Sequence, residues 1–168
     1  VKMHNIINKG ITEEHVFNAI ELAAAAGMKN IKLYYMLGLP GEADSDIEEM
    51  IAMIGRVREK MDAALNKGDL IISVNGFIPK PFTPFQWSPL CDVKTLKRRF
   101  KMLETAFKKA KHIQVQTESL KETVLQAVLA RGDRRIGAAL LEAFHREMPL
   151  KQVLKEQGLD IDCLLYTS

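Results

Sequence analysis

Apolar and polar positions alternate along this chain in two rhythms, and the switches between them mark its elements. After Thr12, the residues Val16, Phe17, Ile20, Leu22, Ala23 and Ala24 recur at helical spacing. Thr12 is a good helix cap, Glu13 and Glu14 suit a helix N-terminus, and Gly27 suits a left-handed stop. The Ala23–Ala26 run predicts close packing on a neighbour. Ile31–Leu37 is an apolar-rich strand that halts at Gly38-Leu-Pro-Gly-Glu42. Ser45 and Glu48 form a capping-box pattern. From there Ile47, Met50, Ile51, Ile54, Val57, Met61 and Leu65 mark a helix to about Asn66, with an exit turn over 66–69.

Leu70–Phe77 is the second strand, with Asn75 and Gly76 unusual at its end. Ile78–Pro89 contains four prolines, which exclude helix and central strand. Its Phe82, Phe85 and Trp87 make it too apolar for a free linker. The segment reads as an ordered loop whose aromatics fill the core or cover a site. Asp92 caps a helix to about Lys109, with Leu96, Phe100, Leu103 and Phe107 on one face. Ile113–Val115 is a short third strand. Ser119 and Glu122 form another capping pattern before a helix to Arg131. Arg131-Gly-Asp-Arg-Arg135 is a helix joint. Further helices run from about Arg134 to Arg146 and from Leu150 to Gln157, and the chain then stops without a closing element. The order is helix–strand–helix–strand–helix–strand and then helices. Strands separated by such helices imply parallel βαβ units with right-handed crossovers. The fold class is α/β, as the last part of a barrel or the edge of an open sheet, followed by a helical tail.

Composition adds bounds. At 168 residues one domain is the natural expectation, and 47% hydrophobic with 27% charged residues is ordinary globular content. A net charge of +3 does not by itself imply nucleic acid or an anionic membrane. Cys91 and Cys163 are far apart, which excludes a C-x-x-C pair and points to a reducing cytoplasm. No signal peptide is evident, and apolar runs fall far short of the ~20 residues of a membrane span. The chain reads as a fragment, beginning at Val1 inside structured-looking sequence (Ile6, Ile7, Asn8).

Several features could carry chemistry. Gly38–Glu42 allows close backbone approach to a ligand at a strand's carboxyl end and offers Glu42 as an acceptor; the plainer reading is a tight turn. It matches neither phosphate-binding glycine pattern. Phe77 and Ile78, at the end of the second strand, could present backbone groups and an apolar wall to a flat heterocycle. Helix 93–111 carries Lys94, Lys97, Arg98, Arg99, Lys101, Lys108, Lys109 and Lys111 against Asp92 and Glu104. That suggests either a solvated face or an RNA contact. His4, His15, His112 and His145 share no metal-ligand spacing.

Two of these segments together carry a resemblance. Ile7–Glu14 followed by Ile31–Glu42 resembles the later half of the radical S-adenosylmethionine (SAM) barrel. Phe77-Ile-Pro-Lys-Pro-Phe-Thr-Pro-Phe-Gln-Trp87 is similar to the segment after the sixth strand in cobalamin-binding-domain radical SAM proteins, and Arg131–Arg135 fits the helical region that follows. The resemblance implies the C-terminal part of a partial (β/α)6 barrel over 1–117 and a helical extension over 118–162, with 163–168 expected to be a non-native tail. It implies a 4Fe–4S cluster that cleaves SAM to a 5′-deoxyadenosyl radical, which abstracts hydrogen from substrate. Met36, Gly38 and Glu42 would line the adenine side of SAM, and Phe77 and Ile78 would contact adenine. The cluster's C-x-x-x-C-x-x-C motif is absent, so the cluster ligands, any cobalamin domain and the missing N-terminal half would lie upstream. The chain alone is expected to be inactive. The alternatives are an RNA-binding module using helix 93–111 and a structural domain without a ligand.

Overall fold

The computed structural model describes residues 9–64 and 66–166. The readings of His4, Ile6, Ile7 and Asn8, of Leu65 on its helix, and of Thr167 and Ser168 lie outside the described residues. Among the described residues, seven helices and three strands run α1 (Glu13–Ala25), β1 (Ile31–Leu37), α2 (Asp44–Ala63), β2 (Leu70–Gly76), α3 (Val93–Phe107), β3 (Ile113–Thr117), α4 (Leu120–Arg131), α5 (Arg134–His145), α6 (Leu150–Glu156) and α7 (Ile161–Tyr166). Among the described residues no helix is long and apolar enough to cross a membrane. Two compact units result. One extends through Asn75 and takes in Val93–Thr117; the other comprises Gly76–Asp92 and the chain from Glu118 onward.

The first unit is a three-stranded parallel sheet in the order β1-β2-β3, with Leu70 opposite Ile113 and Val74 opposite Thr117. α1 packs on α2, α2 on α3, and α3 against β1 and β3. Burial alternates along each strand, as the two-residue period requires. Leu37, Leu70, Ile72 and Val74 are fully buried with Ile47, Ile54, Val57 and Met61 of α2 and Leu96 and Leu103 of α3. Each such side chain contributes about 1.5–3 kcal/mol by leaving water. Tyr35 is on the covered side, where burial first and the Glu13 carboxylate second push its phenol up to about 12. The other face of the sheet carries Lys32, Tyr34 and Met36 of β1, Ser73 and Asn75 of β2, and Gln114 and Gln116 of β3. Tyr34 is 71% exposed there.

Local chemistry explains the boundaries. Thr12 accepts the His15 N–H, and His15 Nδ1 accepts the Thr12 N–H, a reciprocal cap built with a histidine. Gly27 (φ 77°) closes α1 with the paired bonds Gly27 N–H to Ala24 O and Met28 N–H to Ala23 O. The expected Ser45–Glu48 cap is replaced by an earlier start. Ala43 is the N-cap, and its N–H donates to Asp46 at 2.8 Å. Ser119 is an N-cap by position but makes no side-chain cap bond. The neighbouring Glu118 carboxylate instead accepts from Thr123 and Gln126. α2 stops at Ala63 because Asn66 turns out of it, donating to Met28 O and accepting the Gly68 N–H. β3 runs two residues past the expected Val115, carried by its register with β2.

The second unit buries Ile78, Leu90, Ala127, Val128, Ile136, Ala139, Val153, Leu154 and Leu165 together. α5 packs on α6 and α4 on α7. α7 is a closing helix that the sequence pattern does not predict. Its Leu165 is 2% exposed and accepts the Leu90 N–H. The expectation that Phe82, Phe85 and Trp87 fill the core holds for none of the three completely. Phe85 is half-buried, edge-on to Phe77 at 5.4 Å between ring centres. Phe82 is 98% and Trp87 70% exposed. The closely spaced prolines and the left-handed Phe82 (φ 61°) turn those two rings outward.

The loops before β1 and β2 touch backbone to backbone. A Cβ on Gly68 would stand 1.8 Å from the Lys29 carbonyl oxygen. Gly68→Ala is therefore expected to cost about 1–3 kcal/mol, read as a lower urea midpoint with the native circular dichroism retained. An unchanged midpoint would show that the two loops separate freely.

Candidate functional site

The parallel strands end at one edge of the sheet, where side chains and free backbone groups of different strands come together. β1 delivers the turn there. Leu39-Pro-Gly-Glu42 is built as a type II turn, with proline at the second position, glycine at the third (Gly41, φ 76°) and the Glu42 N–H donating to Leu39 O at 3.1 Å. Gly38 also has a positive φ, 90°, which only glycine adopts without strain. The strand can thus reverse within four residues and feed directly into α2.

Glu42 does not point into solvent. Its side chain is 1% exposed, and Oε2 accepts the Gly38 N–H at 2.7 Å and Nη1 of Arg99 at 2.7 Å. Arg99 Nη2 holds the Glu42 carbonyl at 2.7 Å, and its Nε reaches Asp44 at 3.3 Å. The guanidinium and the carboxylate together tie the turn to α3. Arg98 pairs with both oxygens of Asp44, and that hydrogen bond foremost holds the Asp44 carboxyl below its usual range. Burial pushes the Glu42 carboxyl above its ordinary value of 4.5, against the Gly38 N–H and the Arg99 charge, which pull it down.

Met36, Gly38 and Glu42 therefore lie on one strand and its turn, in different settings. Met36 is on the open face of the sheet, 36% exposed. Gly38 and Glu42 are bonded to each other. Phe77 and Ile78 follow β2 in the chain and belong to the second unit, where Ile78 is 9% exposed in the core and Phe77 packs on Phe85. The sequence reading overlooks Arg99 and Asp44, counting Arg99 only as one charge of a basic helix. The signal is present: Arg99 falls between Leu96, Phe100 and Leu103 on the apolar stripe of α3, where a cation requires a buried partner. Among the described residues no group of three or more His, Cys, Asp or Glu side chains could hold a metal ion. Cys91 and Cys163 are not joined in a disulfide. The described residues offer no ligand set that fits a 4Fe–4S cluster.

Comparison with known proteins gives a partial family match. The family model of the Radical SAM superfamily matches residues 2–54, a stretch that includes α1, β1, the Gly38–Glu42 turn and the first half of α2. An uncharacterized protein of Methanocaldococcus jannaschii is 37% identical over 159 residues, covering 95% of this chain and 34% of that relative. The chain thus spans about a third of the relative's length. No solved structure matches it. The match over 2–54 supports membership of the radical SAM superfamily.

Two outcomes follow from the buried pair. Arg99→Met strands the Glu42 carboxylate and is expected to cost about 3–5 kcal/mol in urea unfolding. The second concerns pH. The folded Glu42 pKa is raised, so the native state holds this proton more tightly than the unfolded chain does. The resulting stability is complete below the unfolded value of 4.5 and is lost as pH rises through the raised folded value. In Glu42→Gln that downward component of the stability–pH curve is expected to vanish. A curve of unchanged shape would assign the titration to another group.

Proposed function

We propose that this chain contributes part of the SAM-binding face of a radical SAM enzyme of the kind that carries a cobalamin-binding domain. The observation that carries the reading is the β1–Gly38–Glu42 turn. It lies within the segment matched by the superfamily model, and it is held rigid at the carboxyl end of a parallel strand. In such an enzyme a 4Fe–4S cluster reductively cleaves SAM to a 5′-deoxyadenosyl radical that takes hydrogen from the substrate. The cluster would be held by cysteines of the longer polypeptide, and cobalamin, where used, by a separate domain of it.

The roles of the chain's own residues follow from their surroundings. Met36 offers an apolar, partly exposed surface to the adenine. Gly38 lets the chain turn sharply next to the ligand. Glu42 acts as a positioning residue: its carboxylate is used by Gly38 and Arg99, so it shapes the turn and does not bind the nucleoside directly. Phe77 and Ile78 are proposed as further adenine contacts, Ile78 through backbone groups because its side chain is buried in the helical unit. The RNA reading of the basic helix is weaker, because Arg98 and Arg99 are occupied by Asp44 and Glu42.

The test uses the longer polypeptide. Its sequence is expected to contain three cysteines spaced C-x-x-x-C-x-x-C ahead of this chain, and the purified protein to bind SAM saturably in calorimetry. Met36→Asp should weaken SAM binding about tenfold, or ~1.4 kcal/mol, and leave the melting temperature unchanged because Met36 is not in the core. A longer protein without that cysteine motif, or without measurable SAM affinity, would sink the reading.

A further inference from the structure

α3 turns one side to the sheet and the other to solvent. Leu96, Arg99, Phe100 and Leu103 are buried on its inner side. The outer side carries Lys94, Lys97 and Lys101, all exposed, at the i, i+3, i+7 spacing of a single helix face. Lys108, Lys109 and Lys111 follow, also exposed, in the connection to β3. The arginines of the helix are used within the fold, Arg98 on Asp44 and Arg99 on Glu42. Its single carboxylate, Glu104, accepts the Thr117 hydroxyl at 2.9 Å. Among the described residues no carboxylate pairs with any of these lysines. α2 is the contrast, because its Arg56, Arg58 and Lys60 each meet a carboxylate.

The row of charge works against the helix that carries it. Lysines three and four apart on one face repel each other. Lys94 is in a first turn that has no acidic residue, so its charge opposes the helix dipole. Nothing within the unit gains from the arrangement, whereas an external polyanion would relieve it.

We propose that the outer face of α3 is a binding site for the phosphate backbone of a double-stranded nucleic acid. Lys94, Lys97 and Lys101 stand about 4.5 and 6 Å apart along the helix axis, a line of point charges suited to a regular, densely charged phosphate path. No exposed aromatic side chain accompanies them between residues 93 and 117, so the face lacks the stacking platform on which single strands are held. A lipid surface would call for large apolar side chains beside the lysines, and none is exposed over the same residues. Arg98 and Arg99 take no part, and the lysines carry the contact. They lie on the helix-covered side of the sheet, away from Met36 on its open face. The site is therefore separate from the proposed SAM face and does not rest on it.

Fluorescence anisotropy of the whole chain with labelled RNA and DNA duplexes of about 20 base pairs tests this. A dissociation constant on the order of 10 µM is expected in about 50 mM salt, with a slope near −3 in log K against log salt. Lys97→Glu with Lys101→Glu should weaken binding at least about 30-fold, and Lys97→Arg with Lys101→Arg should keep it. Lys97→Gln alone should lower the slope by about 0.9 and leave the native circular dichroism unchanged, which keeps the test decisive if the double reversal fails to fold. Lys151→Glu with Lys155→Glu, on α6, removes the same charge from the other unit and should change affinity less than twofold. No binding to either duplex overturns the proposal. So does binding indifferent to Lys97 and Lys101, or reduced equally by the α6 control. Tighter binding to a single strand of the same length also overturns it, as does tighter binding to phosphatidylserine vesicles.

Discussion

The turn at the end of β1 depends on one buried ion pair, Arg99 with Glu42. Removing both charges from water costs several kcal/mol per ion, and two apolar side chains of similar size would serve stability as well or better. What apolar groups lack is direction. Glu42 Oε2 receives the Gly38 N–H and the Arg99 guanidinium, and Arg99 in turn holds the Glu42 carbonyl. Three contacts on two residues fix the backbone on both sides of Pro40. The pair therefore sets the geometry of a turn whose glycines would otherwise be free, and it does so from α3, more than fifty residues away.

The two faces of the sheet divide the work. Leu37, Leu70, Ile72 and Val74 are sealed under helices, whereas Lys32, Tyr34, Met36, Ser73, Asn75, Gln114 and Gln116 are on the uncovered side. An all-parallel sheet is ordinarily covered on both faces. Here the second face mixes polar side chains with Tyr34, Met36 and Ile71, a surface suited to a ligand with both apolar and hydrogen-bonding parts. A closed barrel provides that setting in its interior. The open face and the rigid turn are thus consistent with a ligand side on the first unit.

The strands and most helices of the first unit are legible in the sequence because one face of each is buried, and burial is what hydrophobic period reports. The glycine and proline positions of the turn are legible for the same local reason. Three things are not. Capping at Ala43 depends on which of several nearby carboxylates reaches back, and Asp46 does so, whereas Ser119 makes no side-chain cap bond and Glu118 is taken up by the side chains of Thr123 and Gln126. Phe82 and Trp87 look like core residues by composition, yet the proline-braced loop turns them out. Arg99 reads as a surface charge because pattern analysis counts cations by helix and not by stripe. Its partner is distant in sequence, so only the tertiary fold identifies the pair.

Arg99 also belongs to a recurring arrangement. Arg58 donates to the carbonyls of Asn66 at 2.6 Å and Gly68 at 2.7 Å, fastening the loop before β2. Arg131 donates to the carbonyls of Gln86, Ser88 and Leu164, bracing the aromatic loop and the start of α7's last turn from within the helical unit. Each of the three arginines stabilises irregular backbone whose carbonyls have no ladder or helix partner. A lysine could supply the charge but not the planar fork that reaches two carbonyls at once. This explains how a chain with glycine- and proline-rich connections keeps them ordered: the loops are held by long, pre-shaped donors anchored on helices. Phe82 keeps its left-handed conformation in the same loop, its N–H donated to Gln86 Oε1 and the adjacent Thr83 hydroxyl donating to the Lys80 carbonyl, bonds that offset the strain at that residue.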